Sequence, residues 1–164
     1  MASSVHGAPR QTRDIDLVVE ISQSQARELI RRLADRYYGD EECAAEAVRR
    51  RTAFNLVDLQ GGFKLDLFCL GDTAFDRTEF ERAATVDLGE PPEIRVRVKT
   101  VEDTVLRKLL WYREGGGQSD RQWSDVVGML RVCRATIDRG YLQQWANELQ
   151  LRELLARAEQ ESND

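Results

Sequence analysis

From Asp14 onward apolar and polar residues alternate, with Ile15, Leu17, Val19 and Ile21 on one side and Asp14, Asp16, Val18 and Glu20 on the other. A period of two is that of a strand whose apolar face meets a core. Ser22 then stands as an N-cap before Gln25, Leu29, Ile30, Leu33 and Tyr37, a spacing that predicts a helix ending near Gly39. Residues 40–51 read as a shorter helix, with a Glu and Arg content that also suits a mobile surface segment. Two more strands, 52–59 and 63–70, flank Gln60-Gly61-Gly62, and this glycine-bearing break predicts a hairpin. In the second of them Lys64, Asp66 and Phe68 share one face while Phe63, Leu65 and Leu67 share the other.

Residues 73–84 read as an exposed helix or irregular segment. Short strands at 84–88 and 94–98 surround Gly89-Glu90-Pro91-Pro92, whose prolines rule out one continuous central strand. The period then lengthens. Val101, Val105, Leu109 and Trp111 or Tyr112 mark a helix that Gly115-Gly116-Gly117 stops. Ser119 and Gln122 form the ends of a capping box ahead of Trp123, Val126, Val127 and Leu130. Tyr141, Leu142, Trp145 and Leu149 begin a last helical region that continues, after a break, through Leu151, Leu154 and Leu155, with the polar end from Glu159 expected to fray. Trp111, Tyr112, Trp123, Tyr141 and Trp145 share their spacing with leucines and valines, which assigns them to a helical core rather than to a base-stacking surface. The pattern is that of an α+β protein: a mixed part over residues 1–99 and a helical C-terminal region over 100–160.

A chain of 164 residues buries roughly two thirds of its unfolded surface, which leaves room for one domain with a helical appendage and none for a large second catalytic domain. The net charge of -5, with only three lysines (Lys64, Lys99 and Lys108) among 24 basic residues, argues against general polyanion binding. A local arginine cluster can still hold phosphates. Cys43, Cys69 and Cys133 are odd in number, far apart and without metal-ligand spacing, as in a reducing, intracellular setting. With no stretch of membrane-spanning length and no apolar run behind a basic head, a cytoplasmic protein without membrane contact is expected.

Asp14 and Asp16 point the same way from one strand, and Asp66 interrupts an apolar run in which an uncompensated carboxylate is costly. Three such oxygen donors suit a hard divalent ion such as magnesium. They can meet only where their strands share a sheet with the carboxylate faces aligned. The plainer alternative has Asp14 and Asp16 capping or salt-bridging near a sheet edge while Asp66 pairs with Lys64 or an arginine. Gly7 suits a turn, and the lone His6 is assigned a structural or substrate-edge role.

Residues 4–19, SVHGAPRQTRDIDLVV, resemble the active-site segment of minimal nucleotidyltransferases, including those grouped with abortive-infection and toxin–antitoxin systems. Residues 63–68, FKLDLF, resemble the segment carrying their third acid, and residues 100–109 and 119–126 resemble their helical region. The resemblance implies a nucleotidyltransferase-like mixed sheet flanked by helices. It also implies catalysis and metal ligation by Asp14, Asp16 and Asp66, with Mg2+ or Mn2+ as the ion and a nucleoside triphosphate as substrate. The nucleotidyl group would pass to a hydroxyl of a protein, an RNA or a small molecule, with release of pyrophosphate, and Asp66 would help to activate that hydroxyl. Ser4, Arg10, Thr12 and Lys108 are the implied nucleotide contacts, and Asp125 the side chain that fixes Lys108 or Arg107. A cognate toxin or antitoxin protein is an implied partner. The family carries a Gly-Ser or Gly-Gly pair upstream of the first acid, where this chain reads Met1-Ala2-Ser3-Ser4. That departure keeps a catalytically silent nucleotide- or partner-binding homologue as the alternative, with phosphodiester hydrolysis as a third reading.

Overall fold

The computed structural model describes residues 14–87 and 95–163. Its packing divides the chain into two compact units, with the boundary between Phe80 and Glu81. The first unit holds strands β1 (Asp14–Val19), β2 (Tyr37–Tyr38), β3 (Ala53–Asp58) and β4 (Lys64–Cys69), with helices α1 (Gln23–Leu33) and α2 (Glu41–Arg50). The strand order is β1-β4-β3-β2. β1 runs parallel to β4, whereas β3 is antiparallel to both β4 and β2. The sheet is therefore mixed.

Period-two alternation sends Phe54, Leu56 and Leu67 to one face, where they join Ala26 and Ile30 of α1 and Ala44 and Ala47 of α2 in a buried core. Each large side chain so buried stabilises the unit by about 2 kcal/mol before its ordering entropy is subtracted. Ser22 caps α1 through a complete capping box with Gln25, and Asp40 caps α2 by accepting from the Cys43 amide at 2.7 Å. The sequence pattern carried α1 to Gly39, but the helix stops at Leu33. Tyr37 and Tyr38 instead pair with Asp58 and Val57 as an edge strand, and the Leu59 amide donates to the Arg36 carbonyl at 2.9 Å. Sheet pairing outweighs helical spacing here, in keeping with the preference of aromatic residues for strands. Gly39 follows because a Cβ there would stand 2.5 Å from Leu56 Cδ2 and 2.7 Å from Ile30 Cδ1.

The hairpin forms at the expected place. Asp58 closes it by accepting from the amides of Gln60 (3.2 Å) and Gly61 (3.0 Å), and Gly62 supplies a φ of 67°. Of the exposed helix or irregular segment expected over 73–84, helix α3 (Ala74–Arg82) forms, though it is not exposed all round. Thr73 and Asp76 cap it reciprocally, and Phe75 and Glu79 are buried.

The second unit contains the antiparallel pair β5 (Ala84–Asp87) and β6 (Arg95–Val98) and the helices α4 (Val101–Glu114), α5 (Asp120–Val132), α6 (Arg139–Glu148) and α7 (Arg152–Asn163). The proline-containing link between β5 and β6 lies outside the described residues. α4 is buried nearly all round and carries acids into the interior. Asp103 is fully buried and accepts from Tyr141 Oη at 2.5 Å, Thr100 Oγ1 at 2.8 Å and Arg82 Nε at 3.3 Å. Glu102 accepts from the Asp138 amide at 2.8 Å, and the Arg82 guanidinium lies 3.7 Å over the Tyr141 ring. With donors on both Asp103 oxygens and on one of Glu102, whose other oxygen lies 3.6 Å from Arg82 Nη2, these buried charges tie α4 to α6 instead of breaking the core.

Tyr112, Trp123 and Trp145 are buried as expected, whereas Trp111 is 44% exposed. The break in the last helical region falls at Gln150, whose φ is 57°. The C-terminal end does not fray: Trp123 Nε1 donates to Glu161 at 2.7 Å, Arg134 donates to the Ser162 carbonyl at 2.9 Å, and α7 runs to Asn163. The architecture is α+β, a mixed sheet with its helices followed by a helical C-terminal region.

Candidate functional site

Strand register places the acids. β1 and β4 pair in parallel with Asp16 directly opposite Asp66 and Asp14 directly opposite Lys64. Because i and i+2 share a face, Asp14, Asp16, Lys64 and Asp66 all project from the side of the sheet opposite the buried core of the first unit. Neighbouring strands lie about 4.8 Å apart and alternate residues about 6.6 Å apart, so the three acids leave the backbone within reach of one cation. The condition that the carboxylate faces align in one sheet is met. On the next strand Asn55 lies opposite Asp66, which adds an amide to the same row. Sequence reading missed Asn55; only the hairpin register could have found it.

A cation already stands among these acids. Lys64 Nζ lies 2.9 Å from Asp66 Oδ2, with the lysine side chain 41% and the aspartate side chain 20% exposed. The Asp66 hydrogen bond, then the Asp66 charge, with smaller contributions from Asp14 and Asp16, hold the Lys64 ammonium above its usual pKa. All three acids thus act on one point of positive charge. Among the described residues, no group of three acid, histidine or cysteine side chains is arranged to hold a metal ion. Asp66 is turned along its own strand toward Lys64 instead. In chemistry the donors, carboxylate oxygens on one face, are of the type a hard divalent ion takes.

The other expected contacts lie elsewhere. Ser4, Arg10 and Thr12, with His6, Gly7 and Arg13, fall outside the described residues. Lys108 is in the second unit, 9% exposed, with its Nζ 2.8 Å from Asp125 Oδ2 and 3.0 Å from Gln122 Oε1. Asp125 therefore fixes Lys108. Ser119 accepts from the Gln122 amide at 3.3 Å, and the Gln122 side chain turns to Lys108. None of the three thiols is activated. The Asp40 hydrogen bond raises the pKa of Cys43, and burial raises those of Cys69 and Cys133. Among the described residues no helix is long and apolar enough to cross a membrane.

A mixed sheet with two acids on one strand beside a third on the next, followed by a helical region, is the arrangement expected of a nucleotidyltransferase-like protein. The family model described as "Nucleotidyl transferase AbiEii toxin, Type IV TA system" matches residues 2–163, and the chain belongs to that family. Among solved structures, the crystal structure of an antigenic nucleotidyltransferase-like protein from Paracoccidioides brasiliensis matches with 18% identity and a TM-score of 0.49. The match covers 97% of this chain and 80% of that one. No curated protein matches.

Proposed function

We propose that the chain transfers a nucleotidyl group from a nucleoside triphosphate to a hydroxyl acceptor, using Asp14, Asp16 and Asp66. The observation that carries this reading is the Asp16–Asp66 register, which sets two carboxylates side by side on one sheet face with Asp14 as the third on the same face. These three residues would hold magnesium or manganese. When bound, the ion supplies charge neutralisation on the triphosphate oxygens. In the reaction the acceptor oxygen bonds to the α-phosphorus and the bond to the β-phosphate oxygen breaks. Pyrophosphate leaves, and the hydroxyl proton passes to Asp66. Arg10, Thr12 and Ser4 precede the first acid in the chain and are the proposed phosphate contacts. The acceptor is a hydroxyl of a protein, an RNA or a small molecule.

The test incubates the chain, and a form extended at its N-terminus, with each labelled nucleoside triphosphate, Mg2+ or Mn2+, and a cell extract as the source of acceptors. Covalent label on an acceptor is the expected outcome, and Asp14→Ala and Asp66→Ala should each lower it at least about 100-fold, as expected when a charge-stabilising group is removed. Free monophosphate with no labelled acceptor would point to hydrolysis. Magnesium-dependent nucleotide binding without any product would point to a silent homologue. Undiminished labelling by both variants would remove these side chains from the mechanism.

A further inference from the structure

Lys64 has no part in the proposed transfer, yet it is the group most intimately placed in the site. It faces Asp14 across the parallel β1–β4 pair and lies two residues from Asp66 on the same strand and the same sheet face. Its ammonium takes Oδ2, one of the two Asp66 oxygens open to a metal ion. A second cation approaching that oxygen meets the ammonium, whose like charge weakens its attraction to the carboxylate. Both partners sit on a regular strand and not on a loop, so their pairing follows from backbone spacing alone. The lysine is also the residue best able to leave: its charge is at the end of four rotatable bonds, it is 41% exposed, and an ion pair so open to water is weak.

We propose that Lys64 is a positioning residue that serves as the resident counter-cation of the acid cluster: its ammonium holds Asp66 in the metal-free protein, and a divalent ion must displace it to bind. This inference rests on the nucleotidyltransferase reading of Asp14, Asp16 and Asp66. Its consequence is a site whose carboxylates stay neutralised until the metal arrives. Metal affinity is then set by competition with a side chain of the same strand.

The composition makes the exchange observable, since the chain has only three lysines, Lys64, Lys99 and Lys108. The full chain is labelled with 13C at lysine Cε and titrated with MgCl2 in the absence of nucleotide, with the Lys64 signal assigned by its loss in Lys64→Arg. The Lys64 resonance should move in step with calorimetrically measured Mg2+ binding. In parallel, Lys64→Met should bind Mn2+ about 2- to 5-fold more tightly than the parent chain, the range expected for loss of a half-exposed competing ion pair. Asp66→Asn, which removes the oxygen that both cations use, should weaken binding. Mg2+ binding with an unmoved Lys64 signal, or a Lys64→Met protein that gains no affinity, would overturn the role of Lys64 and leave the nucleotidyltransferase reading standing. A chain that binds neither ion, or whose binding survives Asp14→Asn and Asp66→Asn together, would overturn both. The NMR arm needs no stable Lys64→Met protein.

Discussion

Tyr141 is the residue whose surroundings say most about the helical unit. Its hydroxyl donates to a carboxylate with no access to water, and its ring carries the Arg82 guanidinium. Burial, followed by the hydrogen bond to Asp103, drives the phenol pKa well above its usual value, so the group stays a donor at any physiological pH. Tyr141→Phe keeps the ring under Arg82 and removes one of the donors to Asp103. It should destabilise the protein by about 1–2 kcal/mol in chemical denaturation, the cost of depriving a buried charged acceptor of one hydrogen bond. An unchanged midpoint would mean that Thr100 and Arg82 suffice. Sequence could not reveal this network, because Arg82, Asp103 and Tyr141 are far apart in the chain and the two charged residues have the look of surface residues.

Among the elements, β1 and α1 were legible because their signals are local. Alternation over a few residues and a Ser–Gln box need no tertiary partner to be recognised. Ser22→Ala removes the acceptor of the Gln25 amide while leaving the Gln25 side chain on the Ser22 amide. The expected loss is about 1 kcal/mol, read from the urea midpoint, and a shift near zero would show that water replaces the cap. Helix α1 was overextended for the complementary reason. Tyr37 fits a helical period well, and only the presence of β3 beside it makes pairing the better choice. The end of α7 was misjudged in the same way: residues with polar side chains look like a fraying tail until Trp123, Arg131 and Arg134 are found bonded to them.

At the scale of the whole molecule, carboxylates held below their ordinary range set the acid stability. Hydrogen bonds from Arg27 and Arg49 lower Glu42 and Glu46 respectively, and the Cys43 amide lowers Asp40. Burial pushes Asp58 up, but the amides of Gln60 and Gly61 and the nearby Arg36 more than reverse it. Each of these groups has a lower pKa folded than unfolded. The stability it adds is therefore complete above the usual carboxylate range and drains away as pH falls through the native values. Urea unfolding between about pH 7 and pH 3 should show a plateau that falls steeply at its acid end, with added salt weakening the contribution of the exposed arginine pairs. A flat profile would mean that these pairs persist in the unfolded chain.

By itself the sequence determined which residues form strands and helices over most of the chain, where the hairpin turns, and which acids are out of place in an apolar run. These follow from period, caps and glycine, all of which act within a few residues. Tertiary structure alone decided that β1 lies parallel to β4 in the register that sets Asp16 against Asp66 and Asp14 against Lys64, and that Asp125 holds Lys108 rather than Arg107. Register is a relation between segments distant in the chain. A slip of one residue would turn every side chain of a strand to the other face, and the burial of Leu56 and Leu67 against α1 and α2 selects the register that forms.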